Sequence, residues 1–179
     1  MSQWPRWEVF KKDNERKPYQ AVGSVHAADP EHALLNGKNV FVRRPSAVGL
    51  WVAPAAAIYS KTAEELTDEQ NYTAETVSNQ TFVIFRKASN RRSLTFMDYV
   101  GEIDAGSPQV ALQTAIKQFS DKPGLAWWVI PKDLIFASEP DAAEAWFDPA
   151  KTKTYKQQSR YGFVSTLRQG RKGSVTDDK

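Results

Sequence analysis

One stretch of the chain, residues 22–54, occurs again at residues 100–131. The two copies share a Val-Gly pair, a Pro, an Ala-Leu pair, a Phe, a Trp-Val pair and a closing Pro in the same order. Phe41 and Phe119 lie 78 positions apart, and Trp51 and Trp128 lie 77 apart, so one residue is lost in the loop between them. Unrelated segments rarely agree at so many Gly, Pro and Trp positions, which indicates a tandem duplication.

The first copy predicts a strand, a strand, a helix and a strand. Aromatic and β-branched residues at 7–10 and alternating residues at 19–26, with residues 19, 21, 23 and 25 on one side, read as a hairpin, and Gly23 inside the second strand suggests a bulge or a close backbone approach. Asp29-Pro30 is a typical helix start, and Pro45 ends the helix after Arg43-Arg44 in its last turn. The predicted apolar stripe of this helix is Ala33, Leu34, Gly37, Val40 and Phe41. The nearly unbroken apolar run at 48–54 predicts a strand covered on both faces.

The second copy repeats this plan. Strands are predicted at 81–85, 95–103 and 125–131, and Ser107-Pro108 replaces Asp29-Pro30 as the helix start. The corresponding stripe is Ala111, Leu112, Ala115, Ile116 and Phe119. The chain is therefore predicted to be an α+β protein of two tandem ββαβ units: a first unit at 1–61, an acidic linker at 62–80, a second unit at 81–161, and a basic, partly disordered tail at 162–179.

Charge is placed unevenly along the chain. Residues 1–150 carry 16 Lys and Arg against 19 Asp and Glu, whereas residues 151–179 carry 8 against 2. The sequence pI of about 9.0 therefore reflects an extended basic C-terminal tail rather than the folded body. The chain has no Cys, no run long enough for a membrane helix, and an N-terminus unlike a signal peptide, so we expect a cytoplasmic protein without membrane contact.

Residues that could carry chemistry are few. His26 and His32 lack a ligand at helical spacing, and the second copy has Asp104 and Val110 in their places. Glu64, Glu65, Asp68 and Glu69 read as a solvated linker, and Arg43-Arg44 and Arg91-Arg92 as surface charge. We predict no catalytic, cofactor-binding or metal-binding residue in this chain, and no enzyme activity of its own.

The tryptophans divide into two groups. Trp7, Trp51 and Trp128 occupy strand positions and are predicted to lie in the core. Trp4 and Trp146 lie in Pro-flanked segments outside the repeated stretch, where an aromatic side chain either packs the segment onto the body or anchors a partner.

Most of residues 4–60 and, more loosely, residues 81–161 carry a family resemblance. Residues 4–10 (WPRWEVF), 22–27 (VGSVHA), 50–54 (LWVAP) and 146–150 (WFDPA), together with Ala33-Leu34, Arg43-Arg44 and Tyr155, resemble phenylacetic acid degradation protein B. The usual member of that family is a single unit, whereas here its opening survives only in the first unit and its Phe-Asp-Pro tail only in the second.

The resemblance implies a non-catalytic subunit that bridges the catalytic and structural subunits of a multicomponent oxygenase acting on phenylacetyl-CoA. The di-iron centre is then expected on a partner subunit, with no cofactor in this chain. The duplication would replace a homodimer by two units packed with pseudo-two-fold symmetry, either within one chain or in a homo-oligomer.

Residues at the two ends of the chain are the predicted partner-binding set. They combine aromatic anchors with basic side chains suited to an acidic partner surface: Trp4, Trp7, Trp146, Phe147, Asp148, Lys151, Lys153, Tyr155, Lys156 and Arg160. The alternative is a nucleic-acid-binding module that uses the basic, aromatic-interleaved tail. The acidic composition of the body and the lack of an RNA-binding signature argue against that alternative.

Overall fold

The structure is a computed structural model that describes residues 3–42, 47–68, 79–89, 96–121 and 123–151. The basic tail after Lys151 lies outside the described residues, as do both Arg pairs, at 43–44 and 91–92. No helix in the described ranges is long and apolar enough to cross a membrane.

Each unit has the predicted order of strand, strand, helix, strand. The elements of the first unit and the segment after it are β1 (Arg6–Lys12), β2 (Gln20–His26), α1 (Pro30–Phe41), β3 (Gly49–Pro54), β4 (Tyr59–Thr62) and α2 (Ala63–Asp68). The elements of the second unit and its tail are β5 (Gln80–Lys87), β6 (Asp98–Ala105), α3 (Pro108–Gln118), β7 (Ala126–Pro131), β8 (Phe136–Ala137) and α4 (Ala143–Lys151). The α+β class and the tandem ββαβ plan are confirmed.

The strands form one antiparallel sheet in the order β4-β7-β5-β6-β2-β1-β3-β8. The last strand of each half crosses to the other half. β4, which follows the first unit, pairs with β7, and β8, which follows the second unit, pairs with β3. The two units therefore exchange their outer strands, a connection that the sequence did not predict.

The two halves meet at a short junction between β2 and β6. Gln20 stands opposite Asp98, its counterpart 78 positions along the chain. The amide of Ala21 donates to the Met97 carbonyl at 2.9 Å, and the amide of Tyr99 donates to the Tyr19 carbonyl at 2.9 Å. A sheet joined through so few bonds can bend sharply at this point.

Phe10 and Phe85 show that it does bend. Two strands separate β1 from β5 in the sheet order, which in a flat sheet would put them about 14 Å apart. The two rings instead stack with centroids 4.3 Å apart, so the halves of the sheet face each other. Between them lies a central core, whose buried residues are Phe10, Ala21, Ala53, Val83, Phe85, Met97 and Ile130.

Two further cores lie on the outer faces, one beneath each helix. The first core, beneath α1, contains Trp7, Val9, Val25, Ala27, Ala33, Leu34, Val42, Ala47, Leu50, Val52 and Phe147. The second core, beneath α3, contains Phe82, Ile84, Ile103, Ala105, Ala111, Leu112, Ala115, Trp127 and Val129. β3 is thus covered on both faces, as predicted, with Leu50 and Val52 on one and Ala53 on the other.

The helix starts are as predicted. The Asp29 carboxylate accepts from the His32 amide at 2.8 Å, and the Ser107 hydroxyl accepts from the Val110 amide at 3.3 Å. The predicted stripe of α1 is wrong at its end, because Val40 is 48% exposed. At the end of α1, Phe41 rather than Val40 packs against the first core.

The predicted bulge at Gly23 is confirmed, and it corrects the predicted faces of β2. Val9 pairs with Gly23 and Phe10 with Ala21, so the strand carries an extra residue between them. Gly23 has φ +142°, and a Cβ atom there would lie 2.8 Å from the Phe41 ring. As a result Ala21 faces the central core and Val25 the first core, whereas the sequence placed both on one side.

Two segments outside the repeated units complete the cores of the opposite half. Leu66 of α2 packs against the second core, and Phe147 of α4 is buried in the first. Glu65 belongs to a capping box, in which Thr62 donates its amide to the Glu65 carboxylate at 2.7 Å. The division of the chain at residues 61, 80 and 161 stays a prediction.

Candidate functional site

A groove runs along the first-unit half of the molecule, between α1, β8 and α4. Its volume is about 660 Å³. Apolar and acidic side chains contribute to its lining, among them Glu31, Leu35, Phe136, Glu139 and Trp146. A groove of this size is large enough to hold several side chains of a bound segment.

Exposed apolar side chains contribute to the lining of the groove. Leu35 on α1 is 48% exposed, and Phe136 on β8 is 37% exposed. Trp146 of α4 is half-buried, and the Lys38 ammonium lies 5.1 Å from the centroid of its ring. Exposed large apolar side chains gathered at one concave place are typical of an interaction site.

Exposed carboxylates also lie at the groove. Glu31 and Glu139 line it, Asp141 is exposed just before α4, and Glu144 is exposed in the first turn of α4. One basic side chain, that of Lys38, also lies near the groove, over the ring of Trp146. The groove therefore favours a segment that combines apolar and basic side chains.

The exchanged strand β8 fixes one wall of the groove. Phe136 pairs with Val52 and Ala137 with Trp51 of β3. Beyond β8, the Ser138 amide donates to the Leu50 carbonyl at 2.8 Å, and the Leu50 amide donates to the Ser138 hydroxyl at 3.0 Å. These bonds hold the strand against β3 although it has only two residues.

The structure places the predicted partner-binding residues in different environments. Trp4 is 53% exposed, with its ring edge-on to His32 at 5.0 Å. Trp7 is buried in the first core, where its indole N–H donates to the Ala27 carbonyl at 3.1 Å. Phe147 is buried in the same core, and Asp148 is half-buried. Trp7 and Phe147 thus hold the fold together and present little surface to a partner.

The remaining members of that set lie at or beyond the end of the described chain. Lys151 ends α4, and its side chain is not among those described. Lys153, Tyr155, Lys156 and Arg160 lie outside the described residues. The involvement of this set in partner binding stays a prediction.

The histidines are engaged locally. His26 is hydrogen-bonded through Nδ1 to the Trp4 carbonyl at 2.9 Å, and the His32 ring makes an edge contact with the Trp4 ring. Within the described ranges, no three His, Asp or Glu side chains lie close enough together to hold a metal ion.

Glu8 on β1 is a buried acid that the sequence pattern did not single out. It forms an ion pair with Arg6 at 3.3 Å, and the second unit has Val83 at the same sheet position. Burial raises the pKa of the Glu8 carboxyl, and the Arg6 charge partly opposes this rise. The folded state therefore binds the proton of Glu8 more tightly than the unfolded state does.

Replacing Glu8 by Gln is expected to alter how stability depends on pH. The contribution of Glu8 is fully present below its ordinary pKa of 4.5 and is lost as the pH rises through the raised value. The stability of the E8Q variant relative to the parent should therefore increase as the pH rises from 4 to 7. Urea unfolding at both pH values measures this change. Arg6→Gln should make the loss of stability with rising pH steeper, because the Arg6 charge no longer opposes the rise in the Glu8 pKa. A stability difference between E8Q and the parent that is equal at both pH values would contradict the expectation.

The sequence pattern also failed to single out Leu35 and Phe136. An isolated Leu on the polar face of a helix is common and carries no signal by itself. A comparison of the two copies does carry a signal, because the second copy has Gln113 in place of Leu35 and Gln118 in place of Val40. Among the described residues, the exposed large apolar side chains Trp4, Leu35, Val40 and Phe136 lie on the first-unit half.

Comparison with known proteins gives a family and one curated relative. The sequence model of the family described as Phenylacetic acid degradation B matches twice, at residues 3–82 and 78–168. The chain is also similar to a subunit of 1,2-phenylacetyl-CoA epoxidase from Escherichia coli (strain K12), with 37% identity over 62 residues, or 35% of this chain. The match spans 65% of that relative's length. No solved structure matches the chain.

Proposed function

The chain belongs to the phenylacetic acid degradation B family, and on that premise we propose that it is a non-catalytic subunit of a multicomponent oxygenase acting on phenylacetyl-CoA. In this role it bridges the catalytic and structural subunits and holds them in their higher-order arrangement. The di-iron centre and the substrate site belong to a partner subunit.

Within this subunit, we propose that the two units stand in for the two copies of a homodimer. The central core supports this pairing, because equivalent positions meet there. Phe10 and Phe85 occupy the same sheet position, opposite Trp51 and Trp128 respectively, and stack on each other. A surface that contacts its own counterpart is the mark of a two-fold interface.

The junction of the sheet supports the same pairing. Gln20 faces Asp98, its own counterpart in the second unit, and the Gln20 amide donates to the Asp98 carboxylate. Two backbone hydrogen bonds flank this pair, from the Ala21 amide to the Met97 carbonyl and from the Tyr99 amide to the Tyr19 carbonyl. The two donors are counterparts of each other, and so are the two acceptors. The exchanged strands β4 and β8 lie at the two outer ends of the sheet, as a two-fold axis through this junction requires.

The placement of exposed apolar residues carries the bridging role. Trp4, Leu35 and Val40 are each about half exposed on the first-unit half. The second unit has Asn79, Gln113 and Gln118 at the corresponding positions. Because both halves share one fold, the apolar residues serve something other than folding, and contact with a larger subunit explains them.

Co-purification tests this proposal. The chain is co-expressed with the catalytic and structural oxygenase subunits of its own organism, and an affinity tag on this chain is used to recover them. We expect a complex that contains both, with a mass measured in solution that exceeds the sum of one copy of each chain. Recovery of this chain alone would overturn the proposal.

A matched pair of variants locates the contact. Leu35→Glu with Val40→Glu should lower recovery of the partner subunits at least about tenfold, because it places charge in an apolar interface. Gln113→Glu with Gln118→Glu makes the same change on the second-unit half and should leave recovery unchanged. Equal losses in both pairs would contradict the assignment of the contact to the first-unit half.

A further inference from the structure

The groove between α1, β8 and α4 has a lining of mixed character. The lining includes the exposed apolar side chains of Leu35 and Phe136 and the exposed carboxylates of Glu31 and Glu139. An occupant that matches both features has apolar side chains interleaved with Lys and Arg.

The chain itself contains such a segment, and it follows α4, which contributes to the lining of the groove. Trp146 of α4 lines the groove, and α4 ends five residues later at Lys151, a helical distance of about 7.5 Å. Residues 152–179 follow, with 7 Lys and Arg against 2 acidic residues. The same segment carries Tyr155, Tyr161, Phe163 and Leu167 between its basic residues.

We propose that the groove is the docking site of this chain's own C-terminal segment, residues 152–179. The occupant's aromatic and aliphatic side chains cover Leu35 and Phe136, and its Lys and Arg side chains pair with Glu31 and Glu139. Covalent attachment places the segment at an effective concentration in the millimolar range, which favours this occupant over the same segment of a second copy.

Docking of the segment would couple the groove to the tail. A partner that binds the basic tail also uncovers the apolar side chains of the groove, and a partner that fills the groove releases the tail. The two surfaces then become available together, when the chain meets a partner. The docking concerns the chain by itself and does not depend on the proposed bridging role.

Disulfide trapping in the full chain tests the docking, and the absence of Cys from the natural sequence makes every introduced pair unambiguous. One Cys replaces Leu35, and a second replaces Tyr155, Ser159, Phe163 or Leu167 in turn. The matched control places the first Cys at Val40, which lies on the same helix with the same 48% exposure but outside the groove lining. The rate of disulfide formation is measured for each pair.

We expect at least one tail position to react about tenfold faster with Leu35→Cys than with Val40→Cys, in a monomeric product whose rate is independent of protein concentration. Adding Glu31→Lys and Glu139→Lys should reduce that rate to the control's. Similar rates at both helix positions for all four tail positions would overturn the proposal, because an undocked tether samples both. A cross-linked dimer that increases with concentration would overturn it in favour of a second copy's segment.

Discussion

Replacing Phe10 by Ala should lower the free energy of unfolding by about 3–5 kcal/mol. Phe10 is fully buried, stacks on Phe85 and meets the edge of the Trp128 ring at 6.3 Å. Truncation removes the ring from the centre of the contact between the two halves, where the neighbouring side chains belong to strands and cannot easily move in to fill the space. Urea unfolding followed by tryptophan fluorescence measures the loss.

The Phe85→Ala variant provides the sharper comparison. If Phe10 and Phe85 are counterparts across a two-fold axis, the two variants should lose similar stability, within about 1 kcal/mol. The double variant should lose less than the sum, because the stacking energy of about 0.5–1.5 kcal/mol is removed only once. Phe136→Ala, at an exposed position, should cost much less. A loss below about 1 kcal/mol for Phe10→Ala would contradict the central core as the joint between the halves.

Replacing Phe147 by Ala should release α4 from the first-unit half. Phe147 is buried in the first core with Trp146 and Ala143 packed at its margin. The helix has nine residues, too few to persist without this contact. We expect a loss of about 3–5 kcal/mol in the free energy that holds α4 in place.

Hydrogen exchange separates this loss from a general destabilisation. Amides of α4 should lose protection by a larger factor than those of β1 and β5, since the helix can detach before the sheet opens. Ala145→Ser changes an exposed position of the same helix and should cost no more than about 0.5 kcal/mol. Equal loss of protection in α4 and in the sheet would show that the helix does not open separately.

Local signals explain how much of the fold the sequence predicts. The helix starts follow from Asp29-Pro30 and Ser107-Pro108, whose side chains cap the helices as their residue types require. The strands of the two units follow from apolar patterns and from the agreement between the copies. Each of these features is decided within about ten residues, so no knowledge of the tertiary contacts is needed.

The features that the sequence did not predict are decided by distant contacts. β8 has two residues, too few for a periodic pattern, and it exists because Ser138 and Leu50 bond across 88 positions of the chain. The face reversal in β2 depends on where the extra residue falls relative to β1. The groove combines α1 with segments about 100 residues later in the sequence, so its lining residues come together only after folding.

The crossing of β4 and β8 bears on how such a chain arose and on what a fragment of it can do. A polypeptide with only one unit would have no strand of its own to cover its outer edge, and an uncovered edge pairs readily with other molecules. Such a polypeptide would cover that edge only by exchanging its last strand with another copy, at a rate set by how often two copies meet. Joining two copies in one chain makes that meeting certain, so folding no longer depends on the abundance of the protein.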